Sequence, residues 1–444
     1  MANIIVTVDL GYGDSGKGTM IDALARHKPT ELVVRYSGGA QAAHNVITPT
    51  QTHHTFAQFS SATFVPNVKT YLGPEVLIDP HRLMVENSVL LQKGISDALS
   101  RLTIDAKAPV LTEFNAAINQ TREFVRDQNR HGSCGMGIYE TRQDVRTYGD
   151  ATLYAEDLFD LKKAKEKLLF LREEKRKVLF RDFPQYFGDT VHPRAAATYK
   201  LFTDERFIEE TLQVYGRFAS SVTIGDRSVI ADALASGKQI LFEASQGTLL
   251  DEKYGFLPYV TGSDVTVKPA FELLNSLNIH DDIYRLGIIR SYMSRHGAGP
   301  LVTEEPRLTY KIAEQHNSTT HPWQGAFRMG WFDPLAVRYA IRANGGMDGL
   351  AVTCLDQILA SPEYKYAVSY TDETGALLEE IPDHSGDSDA AREAFTNSLI
   401  MMQPTYKSHE SAEDMIRATI ADSCAVPVVA TSAGRTALEK EIMW

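Results

Sequence analysis

Apolar residues in this chain follow two spacings that alternate along its length. Ile4 to Leu10, Glu31 to Tyr36, Val68 to Leu72, Gln239 to Glu243, Tyr284 to Arg290, Leu350 to Leu355 and Val426 to Ala430 are short apolar runs of strand length, several rich in β-branched residues. Helical spacing fills most of the intervals; over Thr19 to His27 it places Met20, Ile21, Leu24 and Ala25 on one face. This alternation predicts an α/β fold with a large, mostly parallel central sheet and flanking helices. Glu156 to Asp182 reads as a long amphipathic helix, with Leu158, Leu161, Leu168, Leu169 and Leu171 among many Lys and Glu. Its expected role is a solvated surface helix with one buried stripe. Tyr364 to Ile381 reads as a hairpin turning at Asp-Glu-Thr-Gly, which attaches an antiparallel element. Neither a repeat nor a linker breaks the pattern. One elaborated domain over 1–444 is expected, with a helical insertion at about 110–235.

Composition narrows the function. The 444 residues carry 45 Lys+Arg and 57 Asp+Glu, a formal charge of −12, with 43% apolar and 23% charged residues. Those fractions describe a globular protein and exclude a disordered one. The acidic balance argues against polymeric nucleic acid as a partner, because neutralising phosphates requires excess Lys and Arg. A small anionic ligand needs only a local positive site. Cys134, Cys354 and Cys424 are odd in number and widely spaced, so neither a disulfide framework nor a structural zinc site is expected. No apolar run approaches the roughly 18 residues of a membrane span. The N-terminus reads as a strand rather than a signal segment, and a cytoplasmic location is expected.

The first strand runs into Gly11-Tyr12-Gly13-Asp14-Ser15-Gly16-Lys17-Gly18-Thr19. Strand, glycine loop and helix are the context a phosphate loop needs: backbone N–H groups and a helix N-terminus face the anion, and Lys17 adds a positive charge. Gly11-x4-Gly16-Lys17 fits the P-loop spacing, but Gly18 stands where a Ser or Thr would bind magnesium. A carboxylate at Asp14 would repel a phosphate. It makes sense if magnesium lies between them or if Asp14 takes a proton from the substrate. The alternative is a helix N-cap, a task Ser15 performs without the charge.

At this point the chain resembles the adenylosuccinate synthetase family, whose first strand is followed by a Gly-Asp-Glu-Gly-Lys-Gly loop. The resemblance continues through Val34-Arg35-Tyr36-Ser37-Gly38-Gly39 with His44, Gly73-Pro74-Glu75-Val76-Leu77-Ile78-Asp79-Pro80, and Phe242-Glu243-Ala244-Ser245-Gln246-Gly247-Thr248-Leu249-Leu250-Asp251. Pro258-Tyr259-Val260-Thr261, Gly297-Ala298-Gly299-Pro300, Gly330-Trp331-Phe332-Asp333 and Thr353-Cys354-Leu355-Asp356 follow in family order. The resemblance implies a GTP-dependent ligase that joins aspartate to IMP through a 6-phosphoryl intermediate. It makes Asp14 the base for purine N1, His44 the acid at the γ-phosphate and 6-oxygen, and Lys17 the cation beside the transferred group. Gln246 becomes a contact to the purine edge. GTP is expected at Gly13, Asp14, Ser15, Gly16, Lys17, Gly18 and Thr19. Its base is expected at Cys354, Leu355 and Asp356 and at Thr431, Ser432, Ala433 and Gly434. IMP is expected at Asp14, Gln41, Ala42, Ala43, His44, Ser133, Cys134, Gln246 and Thr261, with Arg146 lent across a homodimer. Mg²⁺ is expected on Asp14 and the backbone of Ala43. An ion pair at the surface is the alternative for Arg146 and for its neighbour Arg142.

Several positions depart from the family pattern. Asn317 to Arg328, containing Thr319, Thr320 and His321, keeps only Arg328 of the arginine cluster that grips aspartate's carboxylates in the family. Cys134 and Cys354 replace a threonine and a lysine, and Ala40-Gln41 replaces a His-Asn pair. These departures leave open a different amine donor or a deoxynucleotide or 2-aminopurine substrate, as in a phage branch of the family, although that branch lacks the loop carboxylate and the retained Asp14 argues against a guanine-type acceptor. Two other classes compete with the ligase. A GTP-hydrolysing switch requires a Ser or Thr at Gly18, and a non-catalytic scaffold does not require Asp14, Lys17, His44 and Gln246 together.

Overall fold

The computed structural model describes residues 3–127, 131–187, 195–311 and 325–444. Ten strands form one sheet in the order Lys440–Ile442, Val428–Ser432, Gly349–Thr353, Ile283–Arg290, Ile4–Asp9, Gln239–Glu243, Thr30–Arg35, Lys69–Leu72, Leu102–Asp105 and Thr223–Gly225. Neighbours pair parallel except the last hairpin, Val428–Ser432 with Lys440–Ile442. The two central strands are buried at every residue, as expected of parallel strands covered on both faces. Their side chains alternate between two cores. Ile4, Val6, Val8, Ile240 and Phe242 face one, and Ile5, Leu241, Met20, Ile21 and Leu24 face the other.

The expected strands are present, with shifted ends. Backbone geometry explains two shifts. The first helix begins at Lys17, because Gly16 turns the chain with φ 80°. The Gly349–Thr353 strand stops before Cys354, which is left-handed at φ 59° and opens the helix Leu355–Leu359. The long helix runs Leu161–Asp182 and starts late because Asp160 caps it, accepting from the N–H groups of Lys162 and Lys163 at 3.1 Å. Its buried stripe is Ala164, Leu168, Leu171, Lys175 and Leu179, whereas Leu161 is exposed and Leu169 half-buried. The expected hairpin forms at Asp372–Gly375, but Leu377–Leu378 is a short return. The main partner of Glu363–Thr371 is Gln403–Glu410.

Between Leu102–Asp105 and Thr223–Gly225 the chain leaves the sheet for a run of helices, including Glu113–Arg126, Ile138–Tyr148, Leu161–Asp182 and Glu205–Ala219. They bury Phe114, Ile118, Leu168, Leu171, Ile208 and Phe218 in a core continuous with the sheet's outer strands. Among the described residues, no helix is long and apolar enough to cross a membrane.

Candidate active site

Parallel strands bring all their C-terminal ends to one edge, so the loops that follow them converge there. Those loops and the helical excursion enclose a cavity of about 860 Å³. Of the residues singled out in the sequence, Gly13, Asp14, Gly16, Lys17, Gly18, Thr19, Gln41, Ala42, Ala43, His44, Ser133, Cys134, Gln246, Thr261, Cys354, Asp356, Ser432 and Gly434 line it. Positions more than 400 residues apart in the chain thus share one surface.

The glycine loop is built around a carboxylate that the sequence reading passed over. Asp9, at the end of the first strand, is fully buried. It accepts from the N–H groups of Gly11 at 2.8 Å and Ser15 at 3.0 Å, and from the Lys17 ammonium at 2.8 Å. Burial alone would raise its pKa, but Lys17 and the backbone donors hold it below the usual carboxylate value. Lys17 also donates to the Gly13 carbonyl at 2.5 Å, so its ammonium is directed into the loop's own frame. Gly18 departs from the P-loop pattern for a steric reason: a Cβ there would lie 2.7 Å from the Cβ of His44. A Cβ on Gly247 would lie 2.1 Å from the Gly11 carbonyl, so the loop after Gln239–Glu243 can press against the phosphate loop.

His44 is buried, with Nδ1 2.6 Å from Glu243 Oε1 and Nε2 3.4 Å from the Ser245 carbonyl. Glu243 also accepts from the Ser61 hydroxyl and from the Ser61 N–H at 3.1 Å. Burial would raise Glu243, but Arg35, His44 and Ser61 outweigh it and bring its pKa down to about 2. Burial lowers the His44 pKa, with the Glu243 hydrogen bond opposing. A carboxylate on Nδ1 fixes the ring's orientation and tautomer. Near His44, both polar atoms of the Gln41 amide and Oε1 of Gln246 are buried without a protein partner. Buried polar atoms are normally satisfied, so these amides mark where a ligand with donors and acceptors fits.

Asp14 is 28% exposed, and it opens into the cavity. Burial raises its pKa, and His296, Arg290 and Lys17 oppose that rise. His296 Nε2 lies 3.5 Å from its carboxylate, and Arg290 Nε donates to its backbone carbonyl at 2.5 Å. Arg295, fully buried, spans the carbonyls of Ala298, Pro300 and Tyr259 and lies 4.3 Å over the Tyr12 ring. None of Arg290, Arg295 and His296 was singled out in the sequence. The readable signal was three basic side chains within seven residues, directly before Gly297-Ala298-Gly299-Pro300.

Other expected residues lie away from the cavity or are held by partners within the chain. Ser15 lies under the loop, Leu355 points into the core, Thr431 stays within its strand and Ala433 turns to solvent; none lines the cavity. Arg146 sits exposed on Ile138–Tyr148 and pairs with Glu252 at 2.6 Å, also off the cavity. Arg142 is buried against Glu75 at 2.6 Å. Arg328 donates to Glu304 and to the carbonyls of Gly297 and Gly299, each at 2.9 Å. Thr319, Thr320 and His321 lie outside the described residues. Burial pushes the Cys134 thiol up to about 11, so it is a neutral thiol against the cavity. Beside Gly434, Lys440 donates to the Gly434 and Thr436 carbonyls at 2.8 Å, and burial lowers its ammonium to about 8.

An oxygen donor pair of Asp14 and the Ala43 carbonyl fits magnesium, which takes one or two carboxylates and completes its shell with phosphate oxygens and water. Among the described residues, no cluster of three His, Cys, Asp or Glu forms a closed protein cage for a metal.

The model of the adenylosuccinate synthetase family matches residues 6–437. Adenylosuccinate synthetase of Anaeromyxobacter sp. is 32% identical over 391 residues, covering 86% of this chain and 83% of that protein. The enzyme of Vibrio vulnificus is 31% identical over 393 residues, covering 86% and 84%. In fold, the chain is similar to fully ligated adenylosuccinate synthetase from Plasmodium falciparum, with a TM-score of 0.80, 20% identity and 99% coverage of each chain. It is less similar to succinoaminodeoxyadenylate synthetase of cyanophage S-2L, solved with dGMP and dATP as an energy donor, with a TM-score of 0.58, 17% identity and coverage of 100% and 96%. By the extent of the family match and the coverage of its relatives, this chain belongs to the adenylosuccinate synthetase family.

Proposed function

We propose that the chain is a C–N bond-forming ligase of purine biosynthesis that uses GTP to join L-aspartate to IMP, giving adenylosuccinate, GDP and phosphate. The observation that carries this reading is the convergence of Asp14, His44, the unsatisfied Gln41 amide and the unsatisfied Gln246 oxygen on one cavity floored by the glycine loop. In this reading Asp14, with its raised pKa, accepts the N1 proton of the purine, and the 6-oxygen attacks the γ-phosphate as GDP leaves. His44, its Nδ1–H held by Glu243, donates a hydrogen bond from Nε2 to the transferring oxygens as the imidazolium, the form that the Glu243 carboxylate stabilises. The amine of aspartate then displaces the 6-phosphoryl group as phosphate. Gln246 and Gln41 supply donors and acceptors to the purine nucleotide. Loop N–H groups not taken by Asp9 face the phosphates. Magnesium, held by Asp14 and the Ala43 carbonyl, would neutralise charge on the phosphates. We further infer a cytoplasmic homodimer built on a single elaborated domain with a helical insertion at about 110–235, in which exposed Arg146 reaches the neighbouring copy's nucleotide phosphate.

The test is a product screen by mass. IMP, dIMP and GMP are each offered with GTP or ATP and a panel of amino acids. Adenylosuccinate from IMP, GTP and aspartate, with phosphate release only when all three are present, is the expected result. Phosphate release from GTP alone would sink the ligase reading in favour of a GTPase. A product from dIMP or from another amine would move the specificity while keeping the chemistry.

A further inference from the structure

The strand Ile283–Arg290 lies between the strand that feeds the phosphate loop and the strand that feeds the base-reading segment. Asp9 stands opposite Ile288 on one side, and Thr353 opposite Arg290 on the other. Past its end, backbone and side chains tie the two loops together. Ser291 donates from its N–H to the Thr353 carbonyl at 3.0 Å and from its hydroxyl to the Cys354 carbonyl at 3.1 Å. Thr353 in turn donates to the Ser15 carbonyl at 2.8 Å. A longer chain runs through side chains. Arg290 donates from Nε to the Asp14 carbonyl at 2.5 Å and from Nη1 to the Tyr292 hydroxyl at 2.6 Å, and Tyr292 donates to Oε1 of Gln357. Arg290 and Tyr292 are buried, while Gln357 lines the cavity one residue after Asp356.

The polarity of this chain is fixed. A guanidinium only donates and an amide oxygen only accepts, so the Tyr292 hydroxyl must receive from Arg290 and give to Gln357. Gln357 therefore keeps its oxygen directed at Tyr292, which leaves its NH₂ as the group turned elsewhere. An NH₂ donor complements the carbonyl of a 6-oxopurine. Against the amino group of a 6-aminopurine it sets donor against donor, and a buried polar group left unpaired is costly.

We propose that Arg290 and Tyr292 are positioning residues that join the loop carrying Asp14 to the base-reading helix through Gln357, and that Gln357 held this way selects a 6-oxopurine over a 6-aminopurine triphosphate as phosphoryl donor. The selection deepens the proposed GTP-dependent reaction and rests on it for which nucleotide occupies this end of the cavity. Its test reads binding alone, so it stands or falls separately from the ligase chemistry.

Magnesium GTP and magnesium ATP are titrated calorimetrically into the full chain without IMP or amino acid, for wild type, Tyr292→Phe and Gln357→Leu, with folding checked by thermal melting. Wild type binds GTP at least tenfold more tightly than ATP. Tyr292→Phe frees the amide to rotate, so GTP weakens by about fivefold or more while ATP tightens. Opposed changes of this kind do not arise from general loosening of the site. Gln357→Leu cannot rotate to suit either base and binds both within about threefold of each other; it decides the matter alone if Tyr292→Phe does not fold. The proposal is overturned if wild type shows no preference or no binding. It is equally overturned if Tyr292→Phe changes both affinities in the same direction or neither, or if Gln357→Leu keeps the wild-type preference.

Discussion

The cavity has two walls of different construction. The inner wall is the sheet edge, where charge pairs are sealed from water: Asp9 with Lys17, and Glu243 with His44, all under 10% exposed. The outer wall is the helical excursion, where pairs reach the surface: Arg126 with Glu123 and Arg122 with Glu140, each arginine a quarter or more exposed. The same residue types thus carry different energies. A buried charge that loses its partner has no water to turn to, whereas an exposed one is resolvated and screened. The sealed pairs of the inner wall therefore hold its geometry more strongly than the partly exposed pairs hold the outer wall.

Four variants sharpen or break that contrast, in descending order of expected effect. Asp9→Ala strands Lys17 and three loop N–H groups around a buried hole, and should cost about 3–5 kcal/mol in denaturant unfolding. Asp14→Asn removes the base while keeping the loop's shape. Turnover should fall at least ~100-fold in a phosphate-release assay, while GTP affinity by titration stays within about threefold.

Glu243→Gln bears on pH. The carboxyl sits near 2 in the folded chain and near 4.5 when free, so it contributes stability that is full above about 4.5 and disappears as pH falls toward 2. Wild type should therefore lose more stability than Glu243→Gln over that window, by about 1–3 kcal/mol, and the two melting curves should converge as the solution is acidified. Arg146→Ala, which breaks an exposed pair outside the cavity, should change stability by less than about 1 kcal/mol. If it costs as much as Asp9→Ala, sealed and exposed pairs do not differ as described. A raised KM for the purine nucleotide in that variant, with sedimentation showing an intact dimer, would support its reach to a neighbouring copy.

The legible part of the site was the part written in contiguous residues. Gly13-Asp14-Ser15-Gly16-Lys17-Gly18, His44 after a double glycine, and Gln246-Gly247 each carry a strand-end context within a few positions, and all three loops meet at the cavity. What escaped was pairwise. Asp9 reads as a strand residue; only the folded loop turns three N–H groups and an ammonium onto it. Glu243 lies 199 residues from His44, and nothing local tells a strand-end glutamate that it will orient a histidine. Arg328 looked free to grip a substrate carboxylate, yet Glu304 and two carbonyls already hold it. Lys17 looked free to meet a phosphate, yet it is held by Asp9.

Periodicity and composition settled the fold class, because a strand buried on both faces needs a continuous apolar run and a crossover helix needs an apolar stripe, and both are local properties. The glycine loop was equally local, since a left-handed turn at Gly16 and the close approach at Gly18 call for the absence of a Cβ. Which charges neutralise one another, which amides remain unsatisfied and how the loop carrying Asp14 connects to the helix Leu355–Leu359 were set by packing. Those facts depend on distances between strand ends that are neighbours in the sheet and strangers in the chain. A hydrogen bond or ion pair is decided within about 3 Å, a scale at which sequence separation carries no information.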